Sequence, residues 1–224
     1  MSNMCSSSPS QVLSVKPTLR AESIEGTGVI RVLGISGSPR ENGNTAAAVK
    51  KCLKAAEGEG ATTSYMSLAT KRIESCDGCR SCAATGECRI EDDFMEVFDA
   101  MKETDAVVLA SPSYFESITP VMKALIDRAG YYNINAHGRL CFAGKVGAAI
   151  SVARRTGHES AWSQMILFIT SQRMVIPSIA GFPNVTAQDP GDFERDSEGV
   201  QKVRELGRAL VNVAKKMRSS LAQE

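Results

Sequence analysis

The sequence has neither a long apolar run nor a concentration of charge of one sign. Its longest apolar stretch is too short to span a bilayer, and the first residues, MSNMCSSSPSQ, lack the apolar core of a signal peptide. The formal net charge is +1, with no block of Lys and Arg and no interleaving of aromatic and basic residues. We therefore expect a cytoplasmic protein whose partners include neither a membrane nor a nucleic acid.

Histidine is scarce, whereas cysteine is not. The two histidines, His137 and His158, share no metal-ligand spacing, and His158 either lines a ligand pocket or lies on the surface where a helix starts. Because disulfides are rare in the cytoplasm, a cluster among the seven cysteines indicates metal or redox chemistry. Cys5 is isolated and is expected to be an exposed thiol. Cys52 and Cys141 lie on apolar stretches and are expected in the core.

The composition bounds the domain organisation. With 43% hydrophobic and 23% charged residues among 224, the chain is typical of a globular protein of one large domain or two small ones. Residues 1–27 are rich in Ser, Pro and small polar residues without periodicity, so we predict a disordered tail there. Residues 28–224 then form the folded domain, which includes a cysteine-rich loop at 70–91.

Apolar runs and helical periodicity alternate along this domain. The runs predict five strands, at 30–35, 62–68, 106–110, 145–152 and 174–179. The helical patterns predict helices from 45 onward and over 91–103, 119–129, 157–172 and 199–218. Asp92 or Asp93 is the expected cap of the second helix. The stretch 180–197 has no pattern and is predicted to be a long loop that covers a site.

Five strands that alternate with helices predict an α/β protein. The sheet should be parallel and covered on both faces, since each right-handed crossover places a helix on one face. We expect a flavodoxin-like three-layer sandwich with strand order 2-1-3-4-5. Ligands of such sheets lie at the carboxyl ends of the strands, near the point where the strand order reverses. A cofactor is therefore expected at the ends of the first, third and fourth strands.

Residues 36–45 connect the first strand to the first helix, and we call this segment the phosphate loop. It holds three hydroxyls, two amides, one guanidinium and glycines close to a helix N-terminus, which are groups that suit a phosphate. The P-loop ending Gly-Lys-Ser/Thr is absent, and Ser36 stands where Gly-x-Gly-x-x-Gly requires its second glycine. A mononucleotide phosphate fits better than a pyrophosphate. The alternative is an ordinary turn rich in Ser, Asn, Pro and Gly.

Two further loops follow the third and fourth strands. Ser111-Pro112-Ser113-Tyr114-Phe115 comes after the third strand, and Ser151 to Glu159 follows the fourth. Such loops can supply the backbone donors and the aromatic or aliphatic wall that a flat aromatic ligand needs. The alternative for Tyr114 and Phe115 is that they anchor the loop by packing on the core.

Four cysteines are clustered as Cys76-x-x-Cys79-x-x-Cys82-x5-Cys88. Four thiolates within thirteen residues can surround one iron-sulfur cluster, whose irons each take one protein sulfur. Empty or transiently paired redox thiols are one alternative. Zinc is another, although structural zinc sites made of four cysteines are usually built from two well-separated Cys-x2-Cys pairs.

These motifs together resemble the NADPH-dependent FMN reductase family of flavodoxin-like proteins. The resemblance extends over about residues 30–218 and rests on the phosphate loop, on Ser111 to Phe115 and on Leu125-Ile126-Asp127-Arg128. The cysteine motif followed by Asp92-Asp93 resembles the iron-sulfur flavoprotein branch, in which such a motif binds a 4Fe-4S cluster beside FMN.

The resemblance implies a set of site residues. The implied phosphate ligands of FMN are Ser36, Ser38, Arg40, Asn44 and Thr45, and the residues that border its ring are Pro112, Ser113, Tyr114 and Phe115. The loop after the fourth strand adds Ser151, Arg154 and Gly157, although Thr156-Gly157-His158 stands where such proteins often have paired glycines. The implied cluster ligands are Cys76, Cys79, Cys82 and Cys88.

The expected function is that of an FMN-dependent oxidoreductase. Because the flavin carries the chemistry, no catalytic side chain is required. Electrons would come from NAD(P)H or from a ferredoxin and pass to a small acceptor, with the cluster as a one-electron relay. The alternative is an iron-sulfur electron carrier without NAD(P)H activity. Members of the family are dimers or tetramers, so a homodimer or homotetramer with flavin sites at subunit contacts is implied.

Overall fold

The computed structural model describes residues 28–221. The predicted disordered tail at 1–27 lies outside the described residues. None of the described helices combines the length and apolar composition needed to cross a bilayer.

Strands and helices alternate along the described chain. The strands are β1 (Arg31–Ser36), β2 (Thr62–Ser67), β3 (Ala106–Pro112), β4 (Val146–Ala153) and β5 (Asn184–Thr186). The helices are α1 (Asn44–Gly58), α2 (Ser81–Thr85), α3 (Phe94–Lys102), α4 (Pro120–His137), α5 (His158–Ser171) and α6 (Ser197–Leu221). Two short 3-10 helices cover Leu68–Thr70 and Asp192–Arg195.

The five strands form one parallel sheet in the order 2-1-3-4-5, which confirms the predicted topology. Side chains of β1 alternate between the two faces: Leu33 and Ile35 pack with α3, α4 and α5, while Val32 packs with α1 and α6. Successive side chains of a strand point to opposite faces of the sheet. Because both faces are buried here, the strand sequence is continuously apolar. The result is the predicted three-layer sandwich.

The N-terminus of α4 is fixed to the phosphate loop. Thr119 caps the helix, since its Oγ1 accepts a hydrogen bond from Met122 N, and it donates to Gly37 O at 2.7 Å. The helix continues beyond the predicted end near residue 129 and stops at His137, where Gly138 adopts a φ of 59°. The predicted length was wrong because α4 is buried over much of its circumference and shows only a weak amphipathic pattern.

The prediction of a fifth strand at 174–179 was also wrong. In that segment Val175 forms a single bridge with Val146, and the true edge strand β5 lies in the stretch predicted to be a loop. Pro177 interrupts the apolar run and has no N–H to donate to a ladder. Since β5 has only three residues, its sequence is too short to show an alternating pattern.

Candidate functional site

The carboxyl edge of the sheet presents two buried serine hydroxyls without a partner. Ser36 ends β1, Ser151 lies in β4 opposite Ser111 of β3, and all three are fully buried. Within residues 28–221, Oγ of Ser36 and Oγ of Ser151 have no hydrogen-bond partner. Buried hydroxyls are rarely left without partners. A polar ligand at this edge would satisfy them, and both residues belong to the predicted flavin site.

The N-terminus of α1 is open to an anion. Gly43 precedes the helix, and among the described residues no side chain caps it. The first N–H groups of an α-helix have no partner within the helix and carry the positive end of the helix dipole. Ser38 and Thr45, both buried, flank this terminus, and Oγ of Ser38 accepts a hydrogen bond from Arg40 N at 3.1 Å. This geometry suits the predicted phosphate.

A close approach of chains fixes the start of the phosphate loop. Gly37 N donates to Ala110 O at 2.7 Å, and a Cβ on Gly37 would lie 2.9 Å from Cβ of Met122. Only glycine fits between β3 and α4 at this position. The hydrogen bond and the close contact fix the first turn of the phosphate loop against β3 and α4.

Arg40 and Asn44 also hold a second segment that sequence reasoning did not include. Nη1 of Arg40 lies 3.5 Å from Gln188 O, and Nδ2 of Asn44 donates to Asp189 O at 2.8 Å. Asn44 Oδ1 in turn accepts from Phe193 N at 3.2 Å. The predicted phosphate ligands thus connect the phosphate loop to residues 188–193. No local sequence pattern could have shown this, because the partners are more than 140 residues apart.

The loop after β3 is a strained hairpin whose tip is exposed. Tyr114 pairs with Ser117, and the two residues between them, Phe115 and Glu116, have φ of 45° and 64°. Positive φ is costly for such residues. Phe115 is fully exposed and Tyr114 is 46% exposed, so the alternative in which they anchor the loop to the core does not hold for Phe115. Pro112 and Ser113 are half-buried at its base.

The loop after β4 meets this hairpin at Gly157. Gly157 has φ of 89°, and a Cβ there would lie 2.1 Å from Oγ of Ser113. Arg154 is exposed beside it. His158, expected either in a pocket or on the surface, is buried, and its Nε2 lies 3.0 Å from Val185 O, where it joins α5 to β5.

The four clustered cysteines line a single cavity beside the middle of α4, where Arg128, Tyr131 and Tyr132 also line it. Cys76 and Cys79 are exposed, Cys82 and Cys88 are half-buried, and all four thiols are free. Burial and the neighbouring thiols raise the pKa of Cys82 above its ordinary value. The chain folds around the cavity through left-handed turns at Gly78, Arg80 and Gly86, with φ between 61° and 78°. Cys52 is buried, as predicted, while Cys141 is half-buried.

The lining of this cavity can be compared with the ligand set of an iron-sulfur cluster. Four thiols from one short segment share a single cavity, and cysteine thiolates are the residues that hold an iron-sulfur core. The donor set also fits, since four thiolates are the usual ligands of a 4Fe-4S cluster.

The base of the cysteine loop is closed by a buried ion pair. Nη1 of Arg128 donates to Oδ2 of Asp92, and the two side chains are 2% and 0% exposed. Burial alone favours the neutral carboxyl, but the hydrogen bonds from Arg128 and from backbone N–H groups keep the pKa of Asp92 below its ordinary value. Asp92 also accepts a hydrogen bond from the first N–H of α3, with its Oδ1 at 3.1 Å from Phe94 N, whereas the N-cap residue Asp93 makes no side-chain cap.

Two other arginines near the cysteines have different surroundings. Arg89 forms an ion pair with Asp77, and Arg80 is exposed at the start of α2. The hydrogen bonds from Arg89 and Cys79 N lower the pKa of Asp77 to about 2. The guanidinium of Arg128 donates to a cysteine sulfur, with Nη2 at 3.2 Å from Sγ of Cys88.

Comparison with known proteins shows the family to which the chain is similar. Residues 30–187 match the model of the family described as NADPH-dependent FMN reductase. An iron-sulfur flavoprotein of Methanocaldococcus jannaschii is 35% identical over 83% of this chain and 98% of its own length. One from Archaeoglobus fulgidus is 32% identical over 85% of this chain and 96% of its own.

A solved structure shows the same fold. RosB, crystallised with 8-demethyl-8-formylriboflavin-5'-phosphate, superposes with a TM-score of 0.69 at 16% identity. The match covers 87% of this chain and 86% of that one. At this level of identity the likeness concerns the fold alone.

Proposed function

The chain belongs to the NADPH-dependent FMN reductase family, and from this premise we propose that it is an FMN-dependent oxidoreductase with a 4Fe-4S cluster. The observation that carries the proposal is the pairing of two sites on one α/β domain. One is the uncapped N-terminus of α1 at the carboxyl edge of the sheet, where the hydroxyls of Ser36 and Ser151 have no partner within residues 28–221. The other is a cavity lined by four free cysteines. The names of the curated relatives support the same combination.

The chain's own residues would bind and orient the cofactors. The backbone and hydroxyls of the phosphate loop would hold the phosphate of FMN, with Arg40 adding a charge-assisted bond. Pro112 to Phe115 would border the ring on one side, and Ser151, Arg154 and Gly157 would contribute from the loop after β4. Bound FMN supplies the capacity to accept a hydride or single electrons. The four cysteines would hold the cluster, which supplies one-electron transfer.

We further propose that the protein works as a homodimer or homotetramer. Phe115, Leu167 and Phe182 are large apolar side chains that are about half exposed or more in the single chain. Contact with a second copy would remove them from water. Light scattering of the purified protein measures the mass, and a monomer at micromolar concentration would contradict this proposal.

The flavin part is tested by purification and titration. We expect FMN to copurify, and Arg40→Ala to weaken FMN binding about tenfold or more, because a charge-assisted hydrogen bond contributes about 1.5 to 3 kcal/mol. Arg204→Ala, at an exposed position of α6, is the matched control and should bind as the wild type does. Equal affinity for riboflavin and FMN would contradict a phosphate site.

The cluster part is tested by metal analysis under anaerobic conditions. We expect about four irons and four acid-labile sulfides per chain. Cys79→Ala should lose most of the iron while FMN remains bound, because the phosphate loop is a separate segment. Cys141→Ala changes a half-buried thiol outside the cavity and should keep the iron. Stoichiometric zinc, or no iron after reconstitution, would contradict the cluster and leave the flavoprotein proposal standing.

The electron donor separates the oxidoreductase from a simple carrier. Anaerobic mixing with NADPH or NADH should bleach the flavin within seconds if a nicotinamide can stack on its ring. Bleaching only by reduced ferredoxin would favour the electron-carrier alternative without NAD(P)H activity. Both experiments use the same absorbance signal, so they can be compared directly.

A further inference from the structure

We infer that Arg128 positions Cys88 as a cluster ligand and raises the reduction potential of the bound cluster through a hydrogen bond to the Cys88 sulfur. The inference rests on the proposed function, because it concerns how the chain tunes the cluster held by its four cysteines. Arg128 would be a positioning residue, since it acts through a ligand.

The first observation is the set of contacts that the guanidinium makes. Nη2 donates to Sγ of Cys88 at 3.2 Å and lies 3.4 Å from Ile90 O, while Nη1 donates to Asp92 and to Glu74 O at 3.2 Å. Glu74 lies just before the cysteine motif, and Cys88 and Ile90 lie at its end. One side chain therefore holds both ends of the loop and fixes where the fourth sulfur is presented.

The second observation is burial. The Arg128 side chain is 2% exposed, and its Cζ lies 4.2 Å from the centroid of the Phe94 ring. By contrast, the Arg89 side chain is 61% exposed and is paired with Asp77. Water screens an exposed charge far more than a buried one, so Arg128 should act more strongly on the cavity than Arg89 does.

These contacts have a direct electrostatic consequence. Reduction adds negative charge to the cluster and its thiolates, and a hydrogen-bond donor on a ligand sulfur stabilises the reduced state more than the oxidised one. Arg128 should therefore raise the potential. Asp92 contributes a negative charge to the same ion pair and opposes this effect. The two buried residues should shift the potential in opposite directions.

The test is a set of substitutions in the reconstituted holoprotein, with the midpoint potential measured by dye-mediated titration. Arg128→Gln removes the charge and should lower the potential, and Arg128→Lys should give an intermediate value. Asp92→Asn keeps an acceptor oxygen but removes the negative charge, and should raise it. Arg89→Gln is the matched control and should change the potential less than Arg128→Gln, because the Arg89 charge is exposed.

Iron retention provides a second measurement. In competition with a chelator, Arg128→Gln should hold iron about 10 to 100 times less tightly than the wild type, which is the usual loss of metal affinity when a partner of a metal ligand is removed. The FMN content should stay unchanged, which shows that the domain is folded. Failure of Arg128→Gln to load iron while FMN remains bound would still support the positioning of Cys88.

Three results would overturn the inference. One is an unchanged potential in the iron-loaded Arg128 variants. Another is a shift in the same direction for Arg128→Gln and Asp92→Asn, which would indicate general loosening. The third is loss of FMN together with iron, which would give Arg128 only a role in folding. Absence of iron from the wild type would instead refute the proposed cluster itself.

Discussion

Two serines at the carboxyl edge of the sheet differ in what their hydroxyls contact. Oγ of Ser111 donates to Pro112 O at 2.9 Å and accepts from Thr119 N at 3.0 Å. Oγ of Ser36 is equally buried but has no partner within the described chain. A hydroxyl with two partners contributes to folding, whereas a buried hydroxyl without one costs free energy. We infer that Ser36 is kept for a ligand and Ser111 for the fold.

Alanine substitutions should separate these roles. Ser36→Ala should leave the free energy of unfolding of the flavin-free protein unchanged or slightly higher, and should weaken FMN binding. Ser111→Ala should cost about 1 to 3 kcal/mol of stability, because it leaves the buried Thr119 N–H without an acceptor. Urea unfolding and FMN fluorescence titration measure the two effects. If Ser36→Ala destabilised the protein as much as Ser111→Ala, the assignment of Ser36 to a ligand would fail.

The turn from β4 into α5 depends on Gly157. Its φ of 89° is unfavourable for any residue with a Cβ, and the added Cβ would lie 2.1 Å from Oγ of Ser113. Gly157→Ala should therefore destabilise the protein and push the β3 hairpin away from its present position. Gly191 is the matched control, because it has a φ of 91° but no atom within 4 Å of the added Cβ.

The comparison of the two alanine variants isolates the contact. Gly191→Ala should cost about 1 to 2 kcal/mol from the backbone conformation alone, and Gly157→Ala should cost more in thermal unfolding. FMN affinity should fall only in Gly157→Ala, since the hairpin carries Ser113 to Phe115. Equal stability losses in the two variants would show that the contact between residue 157 and Ser113 adds no cost, and would contradict this prediction.

The sequence predicts elements where one local pattern decides the structure. Strands β1, β3 and β4 are continuous apolar runs because both faces of the sheet are covered, so the runs identify them within about two residues. The edge strand β5 is not predicted, because its three residues have no pattern of their own and are defined as a strand by their pairing with β4. The full length of α4 is not predicted, because much of the helix circumference is buried and the sequence therefore shows no clear apolar stripe.

The same distinction applies to the sites. The four cysteines form a compact sequence motif and line one cavity, as the motif indicates, and the phosphate loop lies between β1 and α1. Contacts between distant segments were not predicted. Arg128 reaches Cys88 across 40 residues, and Asn44 reaches Asp189 across 145. Such pairs depend on the sheet topology, which brings α4 to the cysteine loop, and no spacing in the sequence encodes them.

The packing of α6 on α1 joins the first and last elements of the domain. Gly207 of α6 faces Cys52 of α1, and a Cβ on Gly207 would lie 2.2 Å from Cys52 O and 3.0 Å from Cβ of Ala55. Backbone cannot move aside as a flexible side chain can. The two helices approach this closely only because Gly207 has no side chain. The phosphate loop leads directly into the N-terminus of α1. Stability and the anion site therefore depend on the same contact.

This contact reverses the usual effect of replacing a helical glycine. Alanine is favoured over glycine in helices by about 1 kcal/mol, yet Gly207→Ala should lower the free energy of unfolding, because α6 must move off α1. Gly58→Ala, at the end of α1 with no atom within 4 Å of the added Cβ, is the control and should be neutral or stabilising. Gly207→Ala should also weaken FMN binding, since displacement of α1 moves the N–H groups of its first turn. Chemical denaturation and flavin titration of both variants measure this, and a stabilised Gly207→Ala protein would refute the role assigned to the α1 and α6 contact.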